Sequence, residues 1–535
     1  MKRRALSIFC LISLCMGLLV YRFYALSSSE QLIAAAGRQG TRMLNVSTTR
    51  GMIYDHNFER LVNTEQIYVA SVLPSPESAA IVLQHVSAMD RSAVLKKLEK
   101  GELFTVELET PLDSDTNELH TFPIYKRYAD NQLAPHIIGH LTNGNLDGGY
   151  GIEKAYDDFL KEHTVQSSIT YYLDAAGQSI QGKEPEIKLN AASDAGVVLT
   201  LDSRIQKIAE DAGEKYLSKG AVVIMTPDGK IRACASFPAF SPNDLNESLK
   251  DEEGKPMFNR AFGSYSVGST FKIATAAAAL ESGVSPSRNY RCVGSIDVSG
   301  QIFHCHNHAG HGTLDMEHAM AESCNPYFIS LGLRLDKTKL CQTAKDLSFS
   351  KSSLLAPGFS TQSGYLPAAG ELTSPAAVAN FSFGQGTLMA TPIQVALMTC
   401  CIVNGGKTPS AQLVEGLSED GKSLSEINRA AAPVNAVSEK TAEQIKQFLI
   451  TGVMSRSDQN AKPTKTTAGG KTATAQTGNF KNGEEILQGW FTGFFPAEDP
   501  QYVVTVLCEE ADSGNSSASP VFREIADRIT EELLS

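Results

Sequence analysis

Apolar and polar positions change rhythm several times along this chain. Residues 5–21 form an uncharged, mostly apolar run of seventeen, with Lys2, Arg3 and Arg4 before it and Arg22 after it. That length stands at the lower limit for a helix that crosses a bilayer. A polar, Ser-containing stretch at 27–39 follows and reads as a stalk or as the helix leaving the membrane. From about 48 to about 187, short strand-like and helical patterns alternate with turn clusters such as Asn143-Gly144-Asn145 and Asp147-Gly148-Gly149. A polar stretch at 181–196, with Pro185, marks a boundary. Residues 197–202 then predict a strand entering a helix capped at Asp202 or Ser203. A hairpin follows: 221–226, the turn Pro227-Asp228-Gly229, then 231–235. Near the C-terminal end, 469–477, 487–495 and 502–507 read as strands, and 520–534 as a closing helix. Strands at both ends of this larger part, with helical insertions between them, predict an α/β (α+β) fold in which helices flank one antiparallel sheet.

Composition narrows the class. The 535 residues exceed what one hydrophobic core serves, so more than one domain is expected. A net charge of -12 argues against nucleic acid as a partner, because phosphate binding calls for a basic surface. Basic residues before the apolar run hold its N-terminal end in the cytoplasm and place the remainder outside. A cleaved signal peptide is the rival reading, but the run is long for one and no small-x-small site follows it directly. Phe9 before Cys10 and Leu14 before Cys15 do not suit a lipoprotein. The ten cysteines are scattered; Cys292 and Cys305 stand close enough to form a disulfide or to remain as buried thiols. The cluster His304, Cys305, His306, His308 and His311 raises a zinc site. Imidazoles in so Gly-rich a loop more often hydrogen-bond or stand in solvent, and no metal or cofactor is expected.

The chemistry starts at Ser269-Thr270-Phe271-Lys272, which opens an Ala-rich helical run over 273–281 that stops at Ser282-Gly283. Ser269 at a helix start meets free N–H groups, and Lys272 lies one turn along the same face. A serine needs a base to act as a nucleophile, and a lysine serves when burial or a neighbouring cation lowers its pKa. Ser348 to Lys351 repeats the spacing with no other motif around it. Ser323-Cys324-Asn325 likewise has look-alikes in Ser513-Gly514-Asn515 and Ser241-Pro242-Asn243. Order carries the signal: Ser269-x-x-Lys272, then Ser323-x-Asn325 among helices, then Gly470-Lys471-Thr472-Ala473-Thr474 on a strand near the end.

With these motifs in this order, the chain resembles a class B penicillin-binding protein, a monofunctional peptidoglycan D,D-transpeptidase. Asn259-Arg260-Ala261, His311-Gly312, Phe383-Gly384-Gln385-Gly386, Trp490-Phe491-Thr492-Gly493-Phe494 and Pro520-Val521-Phe522 are also similar to family signatures. Arg50-Gly51-Met52-Ile53-Tyr54-Asp55 and Gly151-Ile152-Glu153 resemble those of its non-catalytic pedestal. The resemblance implies a cytoplasmic tail (1–4), a transmembrane anchor (5–22), a stalk (23–47), a pedestal (48–187) and a transpeptidase domain (197–535) with the penicillin-binding protein/serine β-lactamase fold. It makes Ser269 the nucleophile on a stem-peptide D-alanine carbonyl and Lys272 its base. Ser323 would relay a proton to the leaving group, and Asn325 would bind the substrate amide. Lys471 would set the electrostatics, while Gly470, Thr472, Ala473 and Thr474 form the substrate strand. The backbone N–H groups of Ser269 and Thr474 would make the oxyanion hole.

Implied partners are stem peptides, β-lactams, the cytoplasmic membrane, a polytopic glycan polymerase and other wall-synthesis proteins. Three positions depart from the family pattern: Ala473 stands where glycine is usual, Ser266-Val267 where Glu-Pro is common, and Phe58 at an expected turn glycine. Three other readings stay open: a catalytically weak or inactive scaffold, a β-lactamase or D,D-carboxypeptidase of the same fold, and a β-lactam sensor with a similar domain.

Overall fold

Alternating apolar residues build the central sheet. Its strands are β1 (Gly220–Met225), β2 (Ile231–Phe237), β3 (Gly469–Lys481), β4 (Glu484–Phe495) and β5 (Tyr502–Cys508). They pair antiparallel in the order β2-β1-β5-β4-β3, so the expected hairpin joins three strands from the far end of the chain. The structure, a computed structural model, describes residues 2–29, 40–142, 146–174, 176–456, 459–481 and 483–534. The turn cluster Asn143-Gly144-Asn145 and most of the stretch at 27–39 lie outside these residues.

Six helices frame the sheet and the site: α1 (Ser203–Tyr216), α2 (Lys272–Glu281), α3 (Asn325–Gly332), α4 (Pro392–Val403), α5 (Glu439–Met454) and α6 (Ser519–Ile529). Successive strand residues face opposite ways. Val222, Ile224, Val504 and Val506 share one apolar cluster with Ile205 and Ile208 of α1 and Phe522 of α6. Val223, Met225, Trp490 and Val503 share another with α2 and α4. Polar groups in that second layer are satisfied: Thr492 Oγ1 lies 2.7 Å from Thr399 Oγ1 and 2.8 Å from Thr505 Oγ1. Asp202 caps α1 as expected, accepting from the N–H groups of Arg204 and Ile205.

Packing divides the chain into two units, a larger one of Gly51–Val62, Tyr128–His163 and Asp194–Ser535, and a smaller one of Met1–Arg50, Asn63–Arg127 and Thr164–Ser193. This differs from the contiguous pedestal over 48–187 that the sequence suggests. The cause is burial. Strand Met52–Tyr54 pairs in parallel with Gly196–Leu199, and Ile53, Ile137, Ile152 and Leu160 sink into the same core as Val197 and Leu199. Asp55 fastens this segment further, accepting from the Ser203 N–H at 3.0 Å and its hydroxyl at 2.9 Å. Phe58 sits at φ 62, the conformation for which a turn glycine was expected.

In the smaller unit, Thr41–Thr49 pairs antiparallel with Val165–Tyr172, and Glu65–Val72 stands between Phe104–Leu108 and Leu119–Lys126. The stalk expected over 23–47 therefore gives way to helix up to Ser27 and to this strand from Thr41. Helix Lys2–Ser27 is long and apolar enough to cross a membrane.

Candidate active site

The three motifs meet in one cleft of about 290 Å³, lined by Ser269, Ser323, Asn325, Thr472, Ala473 and Thr474 among others. Each arrives on a different element. Ser269 lies in a 3₁₀ turn, Gly268–Phe271, that leads into α2 rather than in the helix itself. The tighter 3₁₀ winding eclipses side chains three apart, which keeps Lys272 beneath Ser269. Trp490 Nε1 donates to the Ser266 carbonyl at 2.8 Å, and the Gly268 N–H donates to Gly384 O at 2.9 Å. Two of the family-like signatures thus hold the approach to Ser269. A third, Arg260, is buried, and its Nε donates to Glu509 at 3.1 Å.

Ser323 and Asn325 stand at the entry to α3. Ser323 has φ 50, a left-handed backbone that a non-glycine residue seldom adopts and that marks strain held by its surroundings. Its hydroxyl sits between two amines: Lys272 Nζ donates to it at 3.1 Å and Lys471 Nζ at 2.9 Å. Lys272 Nζ also donates to Ser323 O at 2.6 Å and to Asn325 Oδ1 at 2.7 Å. Among the described residues its hydrogen bonds go to the second motif and none to the Ser269 hydroxyl, which faces the cleft. Lys471 on β3 completes the group through its bond to Thr472 O at 2.9 Å.

Burial decides the charge of these amines. Lys272 has no exposed surface, and desolvation brings its pKa from 10.5 down to about 7, against an opposing pull from Cys324 and Cys305. Lys471 is also held well below the ordinary lysine value, by burial first, then by Lys272 and Arg456. For Lys272, the free-amine form that a base requires is therefore populated near neutral pH.

β3 is the edge strand of the sheet, so it presents open backbone to the cleft. Thr474 is exposed and Thr472 half-buried, whereas Ala473 and Ala475 are buried in the layer with Val267, Phe271 and Trp490. The Ala473 methyl, 3% exposed, is thus accommodated on the opposite side from the threonines. The Thr474 hydroxyl accepts from the Gly514 N–H at 3.1 Å, which ties the strand to Ser513-Gly514-Asn515.

Ser513 and Asn515 of that last tripeptide, a look-alike of the second motif by spacing, line the cleft in their own right. So do Arg456 and Glu322, paired at 2.7 Å, which sequence reasoning did not single out. Neither belongs to a recognisable pattern; only the packing of α5 beside the second motif brings Arg456 there. Ser241-Pro242-Asn243 is not among the lining residues. Cys292 and Cys305 are buried free thiols, so of the two possibilities the disulfide is not formed.

Comparison with known proteins bears on this arrangement. The model of the penicillin binding protein transpeptidase domain matches residues 220–527. Stage V sporulation protein D of Bacillus subtilis is 29% identical over 94% of this chain and 81% of its own length. Peptidoglycan D,D-transpeptidase PbpA of Mycobacterium tuberculosis is 29% identical over 61% of this chain and 71% of its own. Among solved structures, the complex between penicillin-binding protein PBP2 and MreC from Helicobacter pylori superimposes with a TM-score of 0.65 at 22% identity, covering 92% of this chain and 100% of that one. The ceftriaxone acyl-enzyme of penicillin-binding protein A from M. tuberculosis gives 0.64 at 22%, covering 89% and 97%. At such identities these two structures speak for the fold.

Proposed function

Because the chain belongs to the penicillin-binding protein transpeptidase family, we propose that it is a peptidoglycan D,D-transpeptidase that cross-links stem peptides through an acyl-enzyme on Ser269. The observation that carries this reading is the Ser323 hydroxyl held between two buried amines, in the same cleft as Ser269. Ser269 Oγ attacks the carbonyl of the penultimate D-alanine while Lys272, as free amine, takes its proton. Ser323 passes a proton to the nitrogen of the departing D-alanine, and the Ser269 ester remains. The amine of a neighbouring peptide then attacks that ester, and the released Ser269 oxygen recovers its proton. A β-lactam follows the first half: its ring amide opens onto Ser269, and the ester persists because no amine reaches it.

The rest of the cleft suits this substrate. Lys471 and Arg456 favour a terminal carboxylate beside Thr472 and Thr474. The backbone N–H groups of Ser269 and Thr474 are the proposed oxyanion donors, an arrangement in which each donor contributes about 3 kcal/mol. Burial of the Ala473 methyl away from the threonines favours an active enzyme over an inactive scaffold. Helix Lys2–Ser27 serves as a single-pass anchor, with Lys2, Arg3 and Arg4 on the cytoplasmic side and the catalytic unit outside. The pedestal role of the smaller unit belongs to the same proposal. The Helicobacter pylori relative is found with MreC, and wall-synthesis partners, including a polytopic glycan polymerase, are proposed for this chain too.

Incubation of the full chain with a fluorescent penicillin tests the proposal. Stable labelling that is lost in Ser269→Ala is expected. Rapid release of the label would indicate a β-lactamase, and no label at all a scaffold.

A further inference from the structure

Directly behind the second motif lies a cluster that the proposed reaction does not use. Cys292, Cys305, His311 and Cys324 each direct one ligand atom to a common point, all within 4.8 Å of one another. Cys305 Sγ and His311 Nδ1 are 3.5 Å apart. Tetrahedral zinc, with Zn–S near 2.3 Å and Zn–N near 2.0 Å, sets its ligand atoms about 3.6–3.8 Å apart. The three cysteines are at most 2% exposed, and the His311 side chain is 6% exposed. We infer that Cys292, Cys305, His311 and Cys324 form a structural zinc site that clamps the Ser323-Cys324-Asn325 motif in place.

The backbone is built for this convergence. Strand Tyr290–Cys292 pairs with Gly312–Leu314, which sets Cys292 opposite Gly312 and beside His311. The Cys305 N–H donates to Gly294 O at 2.9 Å and closes the second loop on the first. Gly294 and Gly310 both have positive φ, and a Cβ on Gly294 would strike the His308 carbonyl, one on Gly310 that of Cys292. Only glycine lets the two loops touch along their backbones.

On the outer side, His311 Nε2 is buried without a hydrogen bond and lies 3.9 Å from Glu322 Oε2. A carboxylate facing the free nitrogen of a ligating imidazole is the common second contact at zinc sites.

A disulfide would use two of the sulfurs and leave the third and the imidazole without purpose. Three soft thiolates and one imidazole select zinc over magnesium or calcium. With four protein ligands no position stays open for water, so the ion is structural and takes no part in acylation. On binding, each of the three thiols releases its proton as its sulfur bonds the metal. Cys324 is consequently a positioning residue: the metal would hold it while Ser323, in its left-handed conformation, and Asn325 face the cleft. This proposal departs from the expectation of no metal. The histidine-rich loop supplies two of the ligands, and the other two come from 292 and 324, positions with no spacing pattern to link them.

The test is metal analysis of the full chain purified without chelator, together with the absorption spectrum of the cobalt(II)-loaded protein. We expect about one zinc per chain and a tetrahedral, thiolate-bound cobalt spectrum. Cys292→Ser and His311→Ala are each expected to bind zinc at least ~10-fold more weakly. His311→Cys, which keeps four soft ligands, should retain the ion and shows that loss elsewhere is not misfolding. Ser269→Ala should bind zinc fully, so the site is tested independently of the reaction. Metal-free wild type with all four residues freely modifiable, or with a Cys305–Cys324 disulfide, would overturn the inference.

Discussion

Two stretches of this chain share the pattern Ser-x-x-Lys, and they differ in what surrounds the amine. At Ser269 the pattern winds through a 3₁₀ turn into α2, and Lys272 is sealed among Ser323, Asn325 and the ring of Phe328. At Ser348 it falls past the end of helix Lys337–Asp346. There Ser348 has φ 86 and Ser350 φ 59, so the backbone reverses instead of winding, and Lys351 is half-exposed. The spacing is identical and the surroundings of the amine are not. What turns a lysine into a base is the loss of water around it, and that comes from the segments that cover it.

The comparison can be broken most sharply at the serines. Ser269→Ala is expected to abolish fluorescent-penicillin labelling, while Ser348→Ala labels like wild type; gel fluorescence reads both. At the lysines, Lys272→Met is expected to slow acylation by roughly 10²–10⁴-fold, the usual range for a lost general base. Lys351→Met should leave the rate unchanged in the same stopped-flow assay. Acidity sharpens the contrast further. Burial lowers the Lys272 pKa to about 7, and the protonated amine cannot accept the serine proton. The acylation rate should therefore fall as pH drops through 7, approaching roughly tenfold per unit below it. A pH profile flat from 5 to 9 (about the range that brackets His and Lys titration) would deny Lys272 that role.

Much of the architecture was legible because it rests on local rules. The hairpin turn Pro227-Asp228-Gly229, the cap at Asp202 and the three late strands follow from turn chemistry, capping and period-two patterning, and each appears where expected. The motif residues were legible because their order is as informative as their identity. What could not be read depends on contacts remote in sequence. Met52–Tyr54 gives no sign that its partner is Gly196–Leu199, so the division of the chain looked contiguous. Arg456 is an ordinary helix-end arginine until packing sets it beside Glu322. Cys324 was visible only as the middle of a motif, yet its sulfur faces away from the cleft toward Cys292, Cys305 and His311.

Two smaller effects refine the account. Ala473→Gly restores the residue usual at that position, but the methyl is buried behind the threonines. Labelling rates should change by less than about tenfold, well below the loss expected from removing an oxyanion donor. Ser348→Gly is the smallest. Glycine removes the strain of a left-handed serine, about 1 kcal/mol, and loses part of it to unfolded-chain entropy. A slight rise in Tm with unaltered labelling is expected, whereas Ser323→Gly, also at positive φ, should lose the hydroxyl and the activity together.

The most direct measurement is peptide mapping by mass spectrometry after reaction with a β-lactam. The covalent adduct should reside on the peptide that contains Ser269 and be absent from the one that contains Ser348. An adduct on any other residue, or none on a chain that is folded at neutral pH, would contradict the claim that these buried amines serve the Ser269 hydroxyl.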